Sequence, residues 1–416
     1  MILGKFSFGI GDRFCHQGKP QLAALIKAKE EGLNITPVWN KSYREHTIVG
    51  TSPADTRKEA DDAVAACDWN GPYFVDADHI GLSNVDGFIK PSDFFTLDVA
   101  DYIGKTADKA DVNSFVQKYK KYIGSLAIDG IYETFNISEE QIKAIADKFL
   151  LAVKQAGKIY RHIVAVKGTD NFITEVSMDE TGQPQTPVEM LFILAAIADE
   201  GIPAQTIAPK FTGQFNKGVD YVGDVTGFAK EFEEDVAVLA FAVRKFGLPE
   251  NIKLSIHSAS DKFSIYKPIA KTLKKFDAGL HIKTAGTTWL EELIGLAAAS
   301  GDGLSIAKEV YAGALSRMDE LCGPYKEVID IDRAKLPTAR EVDKWDGQRF
   351  ASALRHDQSC EHYNLNLRQL LHVAYKVAAE MGTRFSDALD KYEYIIAQNV
   401  TENIYERHIR LLFIEV

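Results

Sequence analysis

Short runs of β-branched and aromatic residues alternate along this chain with longer stretches whose apolar positions recur at helical spacing. The runs "KFSFGI" (5–10), "NITPVW" (34–39), "YFVD" (73–76), "FITEV" (172–176), "AQTIAP" (204–209), "IKLSIH" (252–257) and "GLHIKT" (279–284) read as strands. Helices follow most of them, and several carry start signals. Ser52 precedes Pro53 with Asp55 at the third helical position. Ser138 with Gln141, Thr186 with Glu189, and Thr288 with Glu291 have the spacing of capping boxes.

Strand alternating with helix implies parallel pairing through right-handed crossovers. Six or seven such units predict an α/β fold, a (β/α)8 TIM-type barrel, rather than an open sheet. For the eighth strand the candidate is "EVIDID" (327–332). The rhythm breaks over 82–166, which reads as a helical insertion or lid, and 335–416 reads as a helical C-terminal extension. No Gly/Ser or Pro linker separates these parts, so residues 1–416 are expected to form a single catalytic barrel domain.

Charge narrows the choice of partners. The chain has a net charge of −11 and gains nothing from neutralising phosphates, so nucleic acid and anionic membrane are excluded as expected partners. A small anionic substrate is still allowed, because local Arg and Lys can override the global sign. No apolar run approaches the ~20 residues of a spanning helix, and the start lacks the pattern of a signal peptide. The four cysteines, Cys15, Cys67, Cys322 and Cys360, form no C-x-x-C pair. They read as reduced thiols in a cytoplasmic protein. A homo-oligomer is left open.

In a parallel barrel, chemistry collects where strands end. Here almost every strand delivers an ionisable group: Asp12 and Arg13, then Lys41 and Arg44, then Asp76, Asp78 and His79, then Glu175 and Asp179, then Lys210, then His257, then His281 and Lys283. A purely structural barrel has no need of such groups, since isolated charges near a core are costly. Glu175, His257 and His281 are the sharpest subset. One carboxylate and two imidazoles can hold a divalent metal ion such as zinc or manganese, with positions left open for substrate. The plainer alternative is histidines satisfied by hydrogen bonds in the barrel rim. Asp76, Asp78 or His79 could complete the metal shell or act as acid/base, and with Asp179 and Lys210 they are the candidates for proton transfer. Asp12, Arg13, Lys41, Arg44, Lys283 and His356 are the candidates for gripping a substrate, His356 from a late loop closing the site. One of Asp76 and Asp78 is expected to do no more than cap a helix. "FGIGDRF" has G-x-G without the third glycine of a dinucleotide fingerprint, and a phosphate-binding P-loop is missing.

The strings "FSFGIGDRFCHQGKPQLAALIKAKEEG", "ITPVWNKSYREHTIVG", "VDADHIGL", "EVSMDE", "APKFTGQFNKGVDYVGD", "SIHSASDKFSIY" and "HIKTAGTTWLEEL" resemble the tagaturonate epimerase family, the tagaturonate/fructuronate epimerases of bacterial hexuronate catabolism. The resemblance implies an isomerase that takes a small sugar acid and inverts a carbinol carbon β to the ketone. The hydrogen on that carbon is not acidic, so inversion calls for retro-aldol/aldol chemistry or transient oxidation. The first route needs a Lewis acid, an acid/base and donors for the uronate carboxylate. A metal-dependent aldolase or ketose isomerase on the same barrel, or a non-catalytic sugar-acid binding protein, are the competing expectations.

Overall fold

The computed structural model describes residues 1–415. Its ten strands are β1 (Phe6–Ile10), β2 (Ile35–Ser42), β3 (Phe74–Ile80), β4 (Phe94–Asp98), β5 (Gly124–Leu126), β6 (Phe135–Ile137), β7 (Ile173–Ser177), β8 (Thr206–Ala208), β9 (Lys253–Ile256) and β10 (Leu280–Lys283). Eight of them close into a barrel in the order β1-β10-β9-β8-β7-β4-β3-β2, every pair parallel. The remaining two, β5 and β6, form a separate antiparallel hairpin. Helices Gly18–Glu30, Pro53–Ala66, Glu139–Lys167, Pro187–Asp199, Val225–Phe246, Phe263–Phe276 and Ala285–Ala299 supply the outer ring. Among the described residues no helix is long and apolar enough to cross a membrane.

The eighth strand is not at 327–332, which is irregular chain. It is β4, "FFTLD", inside the stretch read as an insertion. Only a four-residue helix, Asp86–Ile89, separates β3 from β4, so the strand–helix rhythm is compressed there. The excursion is accordingly narrower than 82–166: its last helix, Glu139–Lys167, packs as barrel wall against Pro187–Asp199. What is extra is Lys109–Tyr119 and the β5–β6 hairpin.

Local start signals mostly hold. Ser138 Oγ accepts from the Gln141 amide (3.1 Å), and Thr186 and Glu189 cap reciprocally. Thr288 is not a cap: its helix begins at Ala285, and Thr288 Oγ1 takes a hydrogen bond from Gln21 (2.8 Å).

Side chains facing the barrel axis change character along it. Leu3, Val38, Phe74, Phe94 and Ile173 form a small apolar plug, separate from the large core between sheet and helices. Two residues further along each strand the same face carries Asn40, Asp76, Thr96 and Glu175. The period of two along a strand keeps these on the axis. The plug closes one end, and the polar groups gather towards the strands' carboxyl ends.

From Gly301 onward the chain adds a helical extension. Helix Glu393–Glu402 packs on Gly18–Glu30 and Ala285–Ala299, and a final π-helical stretch, Asn403–Ile414, lies along Phe263–Phe276.

Candidate active site

The centre of the site is the ammonium of Lys283. It lies 2.8 Å from Asp76 Oδ2, 2.7 Å from Asp78 Oδ1, 3.0 Å from Glu175 Oε1 and 2.6 Å from Thr96 Oγ1. Strand register explains the convergence: Thr96 pairs with Glu175, and β10 presents His281 and Lys283 to the axis in succession. Burial alone would discharge this lysine. The Asp76, Asp78 and Glu175 carboxylates outweigh it and hold its pKa well above the usual value. Burial raises Asp76 to about 6 against the pull of Lys283, while Lys283 and the neighbouring imidazoles keep Asp78 low despite its burial.

Histidines flank this cluster. Burial opposes charging of His257, but Asp179 and Glu175 outweigh it and raise the imidazole to about 9. His257 Nε2 sits 2.7 Å from Glu175 Oε1. Its Nδ1 faces Asp179 Oδ1 at 3.1 Å. His79 Nδ1 lies 3.4 Å from Asp98 Oδ2, and the His79 and His257 rings meet edge to face with centroids 5.0 Å apart. His79 reaches the mouth because pairing between β3 and β4 slips between Ala77 and Ile80, and because its φ is 51°. The irregularity turns both Asp78 and His79 inward, where regular alternation would send one of them outward.

Ligand atoms of His79, Asp179 and His257 lie within 4.8 Å of one another, and so do those of His79, Asp98 and Glu180. Both sets have metal-ligand spacing. The metal set read from the sequence is only partly assembled. Glu175 and His257 touch, but Glu175 is committed to Lys283 and Thr96. His281 belongs to neither set. Its Nδ1 bonds Ser7 Oγ (2.9 Å), its ring packs on Phe94, and burial lowers it to about 3. Its Nε2, like Glu175 Oε2, is buried without a hydrogen-bond partner.

The mouth is lined by Arg13, Asn40, Asp78, His79, Asp179, His257 and Lys283 from the strand ends, joined by Glu45, Glu180, Lys217, Ser258 and His372. Other candidates lie elsewhere. The Asp12 carboxylate accepts from the backbone amides of Phe14, His16 and Gln17 (2.6, 3.1 and 2.7 Å) and so shapes the first loop. Lys41 donates to the Arg13 carbonyl (2.6 Å). Arg44 is exposed over the Tyr325 ring, 5.7 Å from its centroid. Lys210 is held by its backbone, whose amide donates to Gln185 Oε1 (2.6 Å), and its side chain is not among those lining the mouth. His356 is buried in the extension, stacked on Tyr363 and 3.6 Å from Asp261.

Several site residues escaped the sequence reading. Thr96 and Asp98 lie on the strand it missed. Lys217 follows β8 in a loop, and His372 comes from a helix of the extension, Leu365–His372. No strand-end rule points to either. Among the described residues, none of the side chains lining the mouth comes from 82–166. Glu45, Lys217 and His372 line it from outside the strand ends.

A closed parallel barrel with a buried proton-transfer cluster and metal-spaced ligands at the carboxyl ends of its strands defines an enzyme acting on a small polar molecule. The family model described as tagaturonate epimerase matches residues 2–412. The chain belongs to that family and is an isomerase, a carbohydrate epimerase. It is 28% identical to the tagaturonate/fructuronate epimerase of Thermotoga maritima over 98% of this chain and 80% of that protein. The glycerol-complexed fructuronate-tagaturonate epimerase of Cohnella laeviribosi superposes with a TM-score of 0.81 at 21% identity, covering 98% of this chain and 81% of that one. Its native form gives 0.77 at 22% identity, over 98% and 81%.

Proposed function

We propose that this chain interconverts tagaturonate and fructuronate by opening and remaking a C–C bond, with a divalent metal ion as cofactor. The observation that carries this reading is the Lys283 cluster of Asp76, Asp78 and Glu175 set directly beside His79, Asp179 and His257. The names of the Thermotoga and Cohnella relatives support the choice of substrate.

Asp78 faces the mouth and takes the proton of the hydroxyl on the carbon to be inverted. The O–H pair becomes the C=O bond of an aldehyde. The C–C bond towards the ketone breaks, and its electrons pass to the ketone-bearing fragment. The aldehyde turns over, the bond re-forms on its other face, and Asp78 returns the proton. Lys283 keeps Asp78 ionised between turnovers, and Asp76, raised to about 6 by burial, can share the proton across the same ammonium.

His79, Asp179 and His257 are the residues that would hold the metal. Two imidazoles and a carboxylate suit zinc or manganese. His257 Nδ1 and Asp179 Oδ1 face each other at 3.1 Å, a contact that a cation shared between them could replace. In this reading Glu175 is not a ligand. It accepts from His257 Nε2 and so turns Nδ1 to the metal. A bound cation would supply Lewis-acid stabilisation of charge on the ketone-bearing fragment. The cysteines are all free, which supports a reducing, cytoplasmic setting.

The test is an NMR time course with tagaturonate. A single new hexulosonate, lost on chelation and regained with zinc or manganese, is the expected result. Accumulating shorter fragments would make the protein an aldolase, and binding without turnover would make it a sensor.

A further inference from the structure

Every cation at the mouth but one is already neutralised. Lys283 has three carboxylates, and Arg13 pairs with Glu45 (2.5 Å) while its guanidinium lies over Tyr375. His79 and His257 each lie against two carboxylates. Lys217 is the exception. Its ammonium donates to Ser258 Oγ (2.6 Å); Glu180, Asp179 and Glu45 attract it from a distance, but among the described residues no carboxylate forms an ion pair with it.

That position is rigidly built. The Lys217 amide donates to the Val328 carbonyl (2.8 Å). On either side, Lys262 Nζ donates to the carbonyls of Asn216 (2.9 Å) and Val219 (2.6 Å), and Arg368 Nε donates to the Gly218 carbonyl. Gly218 has φ +74° with His372 close against it, so a side chain there would be both strained and crowded. Ser258, the partner of the ammonium, directly follows His257 and itself has φ 51°. A half-buried, unpaired ammonium is costly, and holding it in place costs more entropy. An anionic ligand group would offset both.

We infer that Lys217, positioned by Ser258, binds the carboxylate of the sugar acid and sets the preference for acid over neutral sugar. This rests on the epimerase reading of the same mouth. Arg13 is less suited, because a substrate would have to displace Glu45. Ser258 directly follows His257, and Lys217, His257 and Lys283 line the same mouth, so a carboxylate held at Lys217 keeps the rest of the substrate within that mouth.

The experiment compares wild type, Lys217→Gln and Lys217→Arg on tagaturonate and on the neutral ketohexose of the same stereochemistry, by kinetics and calorimetry. Loss of one charged hydrogen bond should raise KM for tagaturonate about 10- to 100-fold in Lys217→Gln, with kcat far less affected. The loss for the neutral sugar should be at least about tenfold smaller, and Lys217→Arg should restore most of the difference. Equal losses on both sugars, or an unchanged KM for tagaturonate, would overturn the assignment. If wild type turns over neither sugar, the epimerase reading falls. In that case a calorimetric preference for the acid that disappears in Lys217→Gln still supports the anchor, and its persistence overturns it.

Discussion

Lys253 faces the barrel axis from β9, paired in register with Thr206, and its ammonium has no hydrogen-bond partner. Burial lowers it to about 7 from an ordinary 10.5. A lysine whose folded pKa is depressed penalises the fold fully below that folded value. The penalty shrinks as pH rises and is gone above the unfolded value. It is at most about 4–5 kcal/mol here. Lys253→Met keeps the length and removes the charge, so it should raise the thermal midpoint at pH 6. The gap to wild type should narrow steadily towards pH 10, and an equal gap at both pH values would show that the ammonium is not the cause. This lysine plays no part in the chemistry proposed above. Residues that do, such as Asp78, His79, Asp179, His257 and Lys283, were legible because strand ends in a parallel barrel converge. Asp12 and Lys41 also end strands, yet one caps a loop and the other a carbonyl. Sequence shows that a charge is present but not which way its side chain turns.

Between elements, the loop after β9 and the extension are joined through one buried ion pair. Arg368 Nη2 donates to Asp261 Oδ2 (2.8 Å), and both side chains are fully buried. Burial would neutralise Asp261, but Arg368 and the adjacent His356 and His408 keep it ionised. Arg368→Leu strands that carboxylate and should cost about 3–5 kcal/mol in urea unfolding. Adding Asp261→Asn should recover much of the loss, and strict additivity of the two changes would mean that they do not interact. The pair joins segments more than a hundred residues apart, so no local pattern announces it. β4 was hidden for a different reason. Its helix-poor approach removed the alternation that made the other seven strands visible, and "FFTLD" by itself is as good a buried helix segment as a strand.

For the whole molecule, the barrel and the helical extension were readable from periodicity, whereas the identity of the cover was not. The Lys217 loop and His372 line the mouth, and none of the lining side chains among the described residues comes from the inserted helices. Of the three metal ligands the sequence suggests, only His257 belongs to a set with metal-ligand spacing. His257 was correctly placed at the mouth. His281, two residues before Lys283 on the same face, lies nearer the apolar plug and bonds Ser7 there. The most direct test is anomalous X-ray scattering from crystals of the active enzyme grown with manganese or zinc. One peak within bonding distance of His79, Asp179 and His257 is expected. A peak between Glu175 and His281, or full activity in crystals with no peak at the mouth, would contradict the site.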